Sequence, residues 1–92
     1  MATQLLAPGN TAGDSGWIVI PAGATANFFM TPPTGGTLTS DVPVMGIFVK
    51  SSAGTPLRKG TLACDQVALI AGALEVMFVR QAGGDPAGLD QG

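Results

Sequence analysis

Trp17-Ile18-Val19-Ile20-Pro21-Ala22-Gly23-Ala24-Thr25-Ala26-Asn27-Phe28-Phe29-Met30 is the stretch that decides the fold class. It opens with consecutive β-branched residues, which favour a pleated strand. Pro21 has no N–H to give to a ladder, so the run stops there. Pro21-Ala22-Gly23 then supplies the residues of a corner into a second apolar run. Phe28 and Phe29 are adjacent, so on a strand their rings point to opposite faces. One fills a core and the other faces outward or meets another layer.

The same punctuation recurs along the chain. Fourteen glycines and seven prolines in 92 residues separate short apolar runs. Pro8-Gly9-Asn10, Pro32-Pro33-Thr34-Gly35-Gly36, Ser52-Ala53-Gly54 and Gly83-Gly84-Asp85-Pro86 all carry turn chemistry. Strands are expected over residues 3–6, 16–20, 24–30, 44–50, 57–64, 66–70 and 73–80. The fold class that follows is all-β: a small antiparallel β-sandwich or barrel of about seven short strands with extended terminal arms.

In the 44–50 run Met45, Ile47 and Val49 share one face, and Val44, Gly46, Phe48 and Lys50 the other. Neither face is cleanly polar, so this strand is central or touches a partner. Residues 65–82 admit two readings. Asp65 as an N-cap and Gly83 as a C′ glycine suit a helix, which would be apolar all round and wholly buried. Gly72 at the midpoint and the β-branched Val67, Ile70, Val76 and Val79 favour two strands joined at Ala71-Gly72. Leu74, Val76, Phe78 and Arg80 then line one face, and Glu75, Met77 and Val79 the other. The domain plan is an N-terminal arm over 1–15, a β-sandwich over 16–81 and a flexible C-terminal tail over 82–92. Leu5-Leu6 gives the arm something to bury.

Chemistry is scarce. The chain has no histidine and no tyrosine, which removes the commonest general base, the commonest metal ligand and the phenolic acid. A Ser–His or Cys–His nucleophile cannot be assembled from it. The single Cys64 cannot form an intramolecular disulfide and reads as a small buried hydrophobe. Asp41, Asp65, Glu75 and Asp85 stand singly, Asp14-Ser15-Gly16 reads as a turn, and Gly35-Gly36 lacks the Lys-Ser/Thr of a phosphate loop. The expectation is a protein that is no enzyme, with no catalytic residue, metal or other cofactor.

Charge points the same way. Only 11% of the residues are charged against 46% hydrophobic, and the formal net charge is −2. Arg58-Lys59 is an isolated basic pair in a turn context, so no nucleic-acid partner is expected. The apolar run from Val67 to Leu74 is too short to span a bilayer, so no membrane partner is expected either. A domain this small has little room to hide so much apolar surface, and assembly with other protein surfaces is the natural outlet. Candidate interface residues are Leu5, Leu6, Trp17, Phe28, Phe29, Met30 and Phe48.

Gln4-Leu5-Leu6-Ala7-Pro8-Gly9-Asn10-Thr11-Ala12, Ile18-Val19-Ile20-Pro21-Ala22-Gly23-Ala24-Thr25 and the late Val76-Met77-Phe78-Val79-Arg80 form a pattern. It resembles the small β-sandwich proteins encoded among the structural genes of tailed bacteriophages. Ala71-Gly72-Ala73-Leu74-Glu75 and Phe28-Phe29-Met30 depart from it. The resemblance implies a virion component, synthesised in the host cytoplasm and placed on the capsid surface. A decoration (cement) protein, a homotrimer or homodimer bridging subunits of the major capsid protein, is the expectation. Alternatives are a phage tail, neck or fibre component, or a surface or carbohydrate-binding β-module with Trp17 as platform.

Overall fold

Alternation of inward apolar and outward side chains builds two antiparallel sheets. The computed structural model describes residues 3–32, 44–51, 54–63, 66–83 and 86–92. Cys64 and the turns expected at 33–36, 52–53 and 84–85 lie outside them. Among the described residues the strands are β1 (Thr3–Gly9), β2 (Gly13–Asp14), β3 (Ile18–Ile20), β4 (Thr25–Thr31) and β5 (Val44–Lys50). They continue with β6 (Leu57–Ala63), β7 (Val67–Ala71), β8 (Leu74–Arg80) and β9 (Ala87–Gln91). One sheet has the order β1-β9-β4-β7. In the other, β8 is followed by β5 and β6, and both β2 and β3 pair along the free side of β8. The fold is all-β, as expected, with two more strands than the sequence suggested.

The corner after β3 follows the turn rule. The Ala24 N–H donates to the Pro21 carbonyl at 3.1 Å, and Gly23 between them has φ +79°. A side chain with a Cβ rarely adopts that backbone, so glycine at this position makes the turn cheap. Of the two readings of the 65–82 region, the strands hold: Val67–Ala71 and Leu74–Arg80 are β7 and β8. Ala71 still pairs with Thr25, so the turn falls one residue later than expected, at Gly72-Ala73.

The two sheets meet at Phe28 of β4 and Phe78 of β8. Both are fully buried, and their ring centroids lie 4.7 Å apart at an interplanar angle of 44°. Such a tilted pair contributes about 0.5–1.5 kcal/mol beyond the burial of its area. Met45, Leu62, Ile70, Val76 and Leu89 close around it. The outward-facing alternates of the same strands remain at the surface.

Both chain ends differ from expectation. Residues 82–92 were expected to form a flexible tail, but Ala87–Gln91 is a strand between β1 and β4, with Ala87 and Leu89 wholly buried. The strand expected over 3–6 is present and runs on to Gly9, but it pairs with β9 of the same chain, from Thr3↔Gln91 to Gly9↔Ala87, where the domain plan placed an arm. The physical reason is Arg80. Its side chain is buried on the inward face of β8. Its Nε donates to the Thr11 carbonyl at 2.7 Å, and its Nη1 donates to the Ala7 carbonyl at 2.7 Å and the Ala87 carbonyl at 2.8 Å. One guanidinium thus joins β8 to β1, to the segment after it, and to β9.

Two outcomes are expected from this arrangement. Arg80→Lys keeps the charge but loses the fixed fork of donors. It should cost about 2–3 kcal/mol in denaturant unfolding and speed amide exchange in β1 and β9 ahead of β5 and β6. Leu89→Ala should cost about 2–5 kcal/mol by the same measurement. A loss under about 0.5 kcal/mol would place 87–91 outside the core.

Candidate protein-docking face

The outer face of the five-stranded sheet is built by the odd-numbered residues of β8 and their partners. Val76, Phe78 and Arg80 point inward and are buried, so Glu75, Met77 and Val79 point out. Register places Val19 and Lys50 beside Glu75. It places Phe48 beside Met77, with Arg58 beyond it. It places Asp14 and Gly46 beside Val79, with Thr61 beyond. The outer side of an antiparallel sheet usually alternates to polar residues. Here the middle of the face is Met77, Phe48, Val79 and Val19, and Val19 is 68% exposed. Asp14, Glu75, Lys50 and Arg58 frame it.

Local chemistry sets the aromatic side chains on this face. Between β2 and β3 the chain leaves the ladder at residues 15–17, and Ser15 bridges the break. Its N–H donates to the Phe78 carbonyl at 2.9 Å, and its hydroxyl accepts the Phe78 N–H at 3.0 Å. The hydroxyl in turn donates to the Gly16 carbonyl at 2.9 Å. The Gly16 N–H donates to Asp14 Oδ1 at 2.9 Å, the local turn that an Asp-Ser-Gly sequence favours. Strand pairing therefore resumes at Ile18, not at Gly16 as expected. Trp17 follows this break, with the Lys50 ammonium 4.6 Å from its ring centroid. Phe48 leans over Gly46, where an added Cβ would come within 3.3 Å of the ring. Beside it lies a depression of about 340 Å³ lined by Val44, Gly46, Phe48, Arg58, Thr61 and Gln81.

The structure divides the seven candidate interface residues. Trp17 and Phe48 belong to this face. Phe29 is half-buried on the outer side of the other sheet, opposite Val67 and Asp90. Phe28 and Met30 face inward and lie in the core, so they are corrected from surface to core residues. The adjacent Phe pair thus splits as alternation requires. Leu5 and Leu6 pack against the core from β1. A register shift between Gln4 and Leu6 lets both consecutive leucines do so. Val19, Met77 and Val79 were missing from the candidate set. Their signal was the outward alternate of β8, where two apolar residues follow Glu75.

Two antiparallel sheets packed face to face form a β-sandwich with aromatic and apolar residues on one outer side. A scan against protein-family models and searches of curated proteins and of solved structures found no match to this chain.

Trp17 is the single tryptophan, so its fluorescence reports on this face alone. Ser15→Ala should remove the acceptor for the Phe78 N–H, cost about 1–2 kcal/mol and shift Trp17 emission to the red. Unchanged emission and stability would show that Ser15 does not hold the face.

Proposed function

We propose that this protein is a structural, non-enzymatic docking module of a virus particle: a capsid decoration protein that bridges neighbouring subunits of the major capsid protein. The observation that supports docking is the outer face of the five-stranded sheet. Trp, Phe, Met and Arg are the residue types enriched at protein interfaces, and Trp17, Phe48, Met77 and Arg58 lie together there. The ring of Trp17 carries the Lys50 ammonium on one side, which suits a packed protein contact better than a sugar-stacking platform. The capsid as partner is supported by the resemblance of the N-terminal, 18–25 and 76–80 segments to small phage structural proteins. Repetition over a particle surface sums modest contacts into a strong cage.

Mass spectrometry of purified particles tests the reading directly. The chain should be present in many copies, on the scale of the major capsid protein. Absence would overturn it, and a few copies per particle would move the protein to the tail or neck. With empty capsids added to the purified protein, Phe48→Ala should weaken binding about 30-fold, the loss of a central anchor worth about 2 kcal/mol. Equal binding by the variant would remove this face from the contact.

A further inference from the structure

A two-sheet sandwich has four lateral edges, and an edge strand carries free N–H and C=O groups on which another strand can pair. Three edges of this protein are obstructed. β1 contains Pro8 and two register shifts against β9. The β2/β3 edge is broken at residues 15–17. β6 carries Arg58 and Lys59 and has a bulge where it passes Ile47 and Phe48. Among the described residues the fourth edge is β7, Val67-Ala68-Leu69-Ile70-Ala71, which has no charge, no proline and an unbroken register against β4.

The ladder also fixes which groups of β7 have no partner among the described residues. The Gly72 N–H donates to the Ala24 carbonyl at 2.9 Å. Antiparallel neighbours alternate between pairs that exchange hydrogen bonds and pairs that do not. Ile70–Ala26 and Ala68–Phe28 are therefore the bonded pairs with β4. The N–H and C=O groups of Val67, Leu69 and Ala71 point the other way, to the open edge. That row is symmetric about Leu69. Leu69 and Val67 are also 67% and 59% exposed, two of the large hydrophobic side chains left at the surface.

We propose that β7 pairs antiparallel with β7 of a second copy of this chain, about a two-fold axis through Leu69. Leu69 then exchanges both hydrogen bonds with Leu69 of the other copy, and Val67 with Ala71 of the other copy, in each direction. The two four-stranded sheets become one continuous sheet. A two-fold pairing sets the residue on the axis against its own copy and brings the same edge against itself, so a charged edge repels itself. The neutrality of β7 removes that penalty, and its centred row of free groups matches its own reverse. The strand also walls a groove of about 400 Å³ whose lining includes the core residues Ile47, Leu62 and Ile70, and an added strand shields that flank. The pairing stands on edge geometry and does not rest on the capsid reading.

Sedimentation equilibrium of the full chain over a range of concentrations tests it. The expected result is a reversible monomer–dimer equilibrium. Leu69→Pro removes an N–H that faces the open edge and leaves the ladder to β4 intact, a setting in which proline is tolerated. It should sediment as a monomer. Leu69→Lys should weaken the dimer about fivefold or more through like charges across the axis. An equimolar mixture of Leu69→Lys and Leu69→Glu should restore it. Far-UV circular dichroism and the unfolding midpoint of the Lys variant check that the monomer stays folded. A wild-type chain that is monomeric throughout, or a dimer that both Leu69→Lys and Leu69→Pro leave unchanged, overturns the proposal.

Discussion

The fold depends on one buried cation. Arg80 is a buried guanidinium, and an isolated charge in an apolar interior costs several kcal/mol. Its charge is met by main-chain carbonyls of residues 7, 11 and 87. The need is mutual. The register of β1 against β9 slips between Leu6 and Gly9, which takes the Ala7 carbonyl out of the regular ladder. The guanidinium supplies the donor that the ladder does not. Bulge and arginine therefore belong together, and removing either leaves polar groups of the other without partners. This is also why the two chain ends sit in one sheet beside each other.

The sequence was informative where side chains carry a strong preference. Ile18-Val19-Ile20 and the Pro21-Ala22-Gly23 corner predicted β3, the turn and β4, with β3 beginning two residues later than expected and β4 displaced by one. Val44–Lys50 fell within its expected limits. β9 was illegible for a physical reason. Ala87-Gly88-Leu89-Asp90-Gln91 has no β-branched residue and one large apolar side chain. Its smallness suits a position between two strands, with Arg80 reaching its first carbonyl, and that context comes from residues distant in the chain. The clue that did exist was Arg80 itself. It stood on the same alternate as Leu74, Val76 and Phe78, and an arginine on a core-facing alternate needs acceptors from elsewhere.

The surface was legible only in part. Alternation separated Phe28 from Phe29 but could not say which ring turned inward. Nor could it reveal that a register shift would let Leu5 and Leu6 share one side. Trp17 and Phe48 were found because aromatic residues are conspicuous. Val19, Met77 and Val79 gain meaning only when three strands align them. The face is a product of register, which a linear reading does not contain.

Placing β9 inside its sheet also has a consequence for how the protein is made. β9 lies between β1 and β4, so β1 joins the rest of its sheet only through a strand that is synthesised after β2 to β8. β1 has no neighbour until then. The pairing of Thr3 with Gln91 closes nearly the whole chain into a loop, the kind of distant contact that slows folding. This sheet is therefore completed only once β9 has been made, and a chain cut short before residue 87 lacks both the strand and one of the acceptors its buried arginine requires. The presence of β9 is thereby checked by the fold itself.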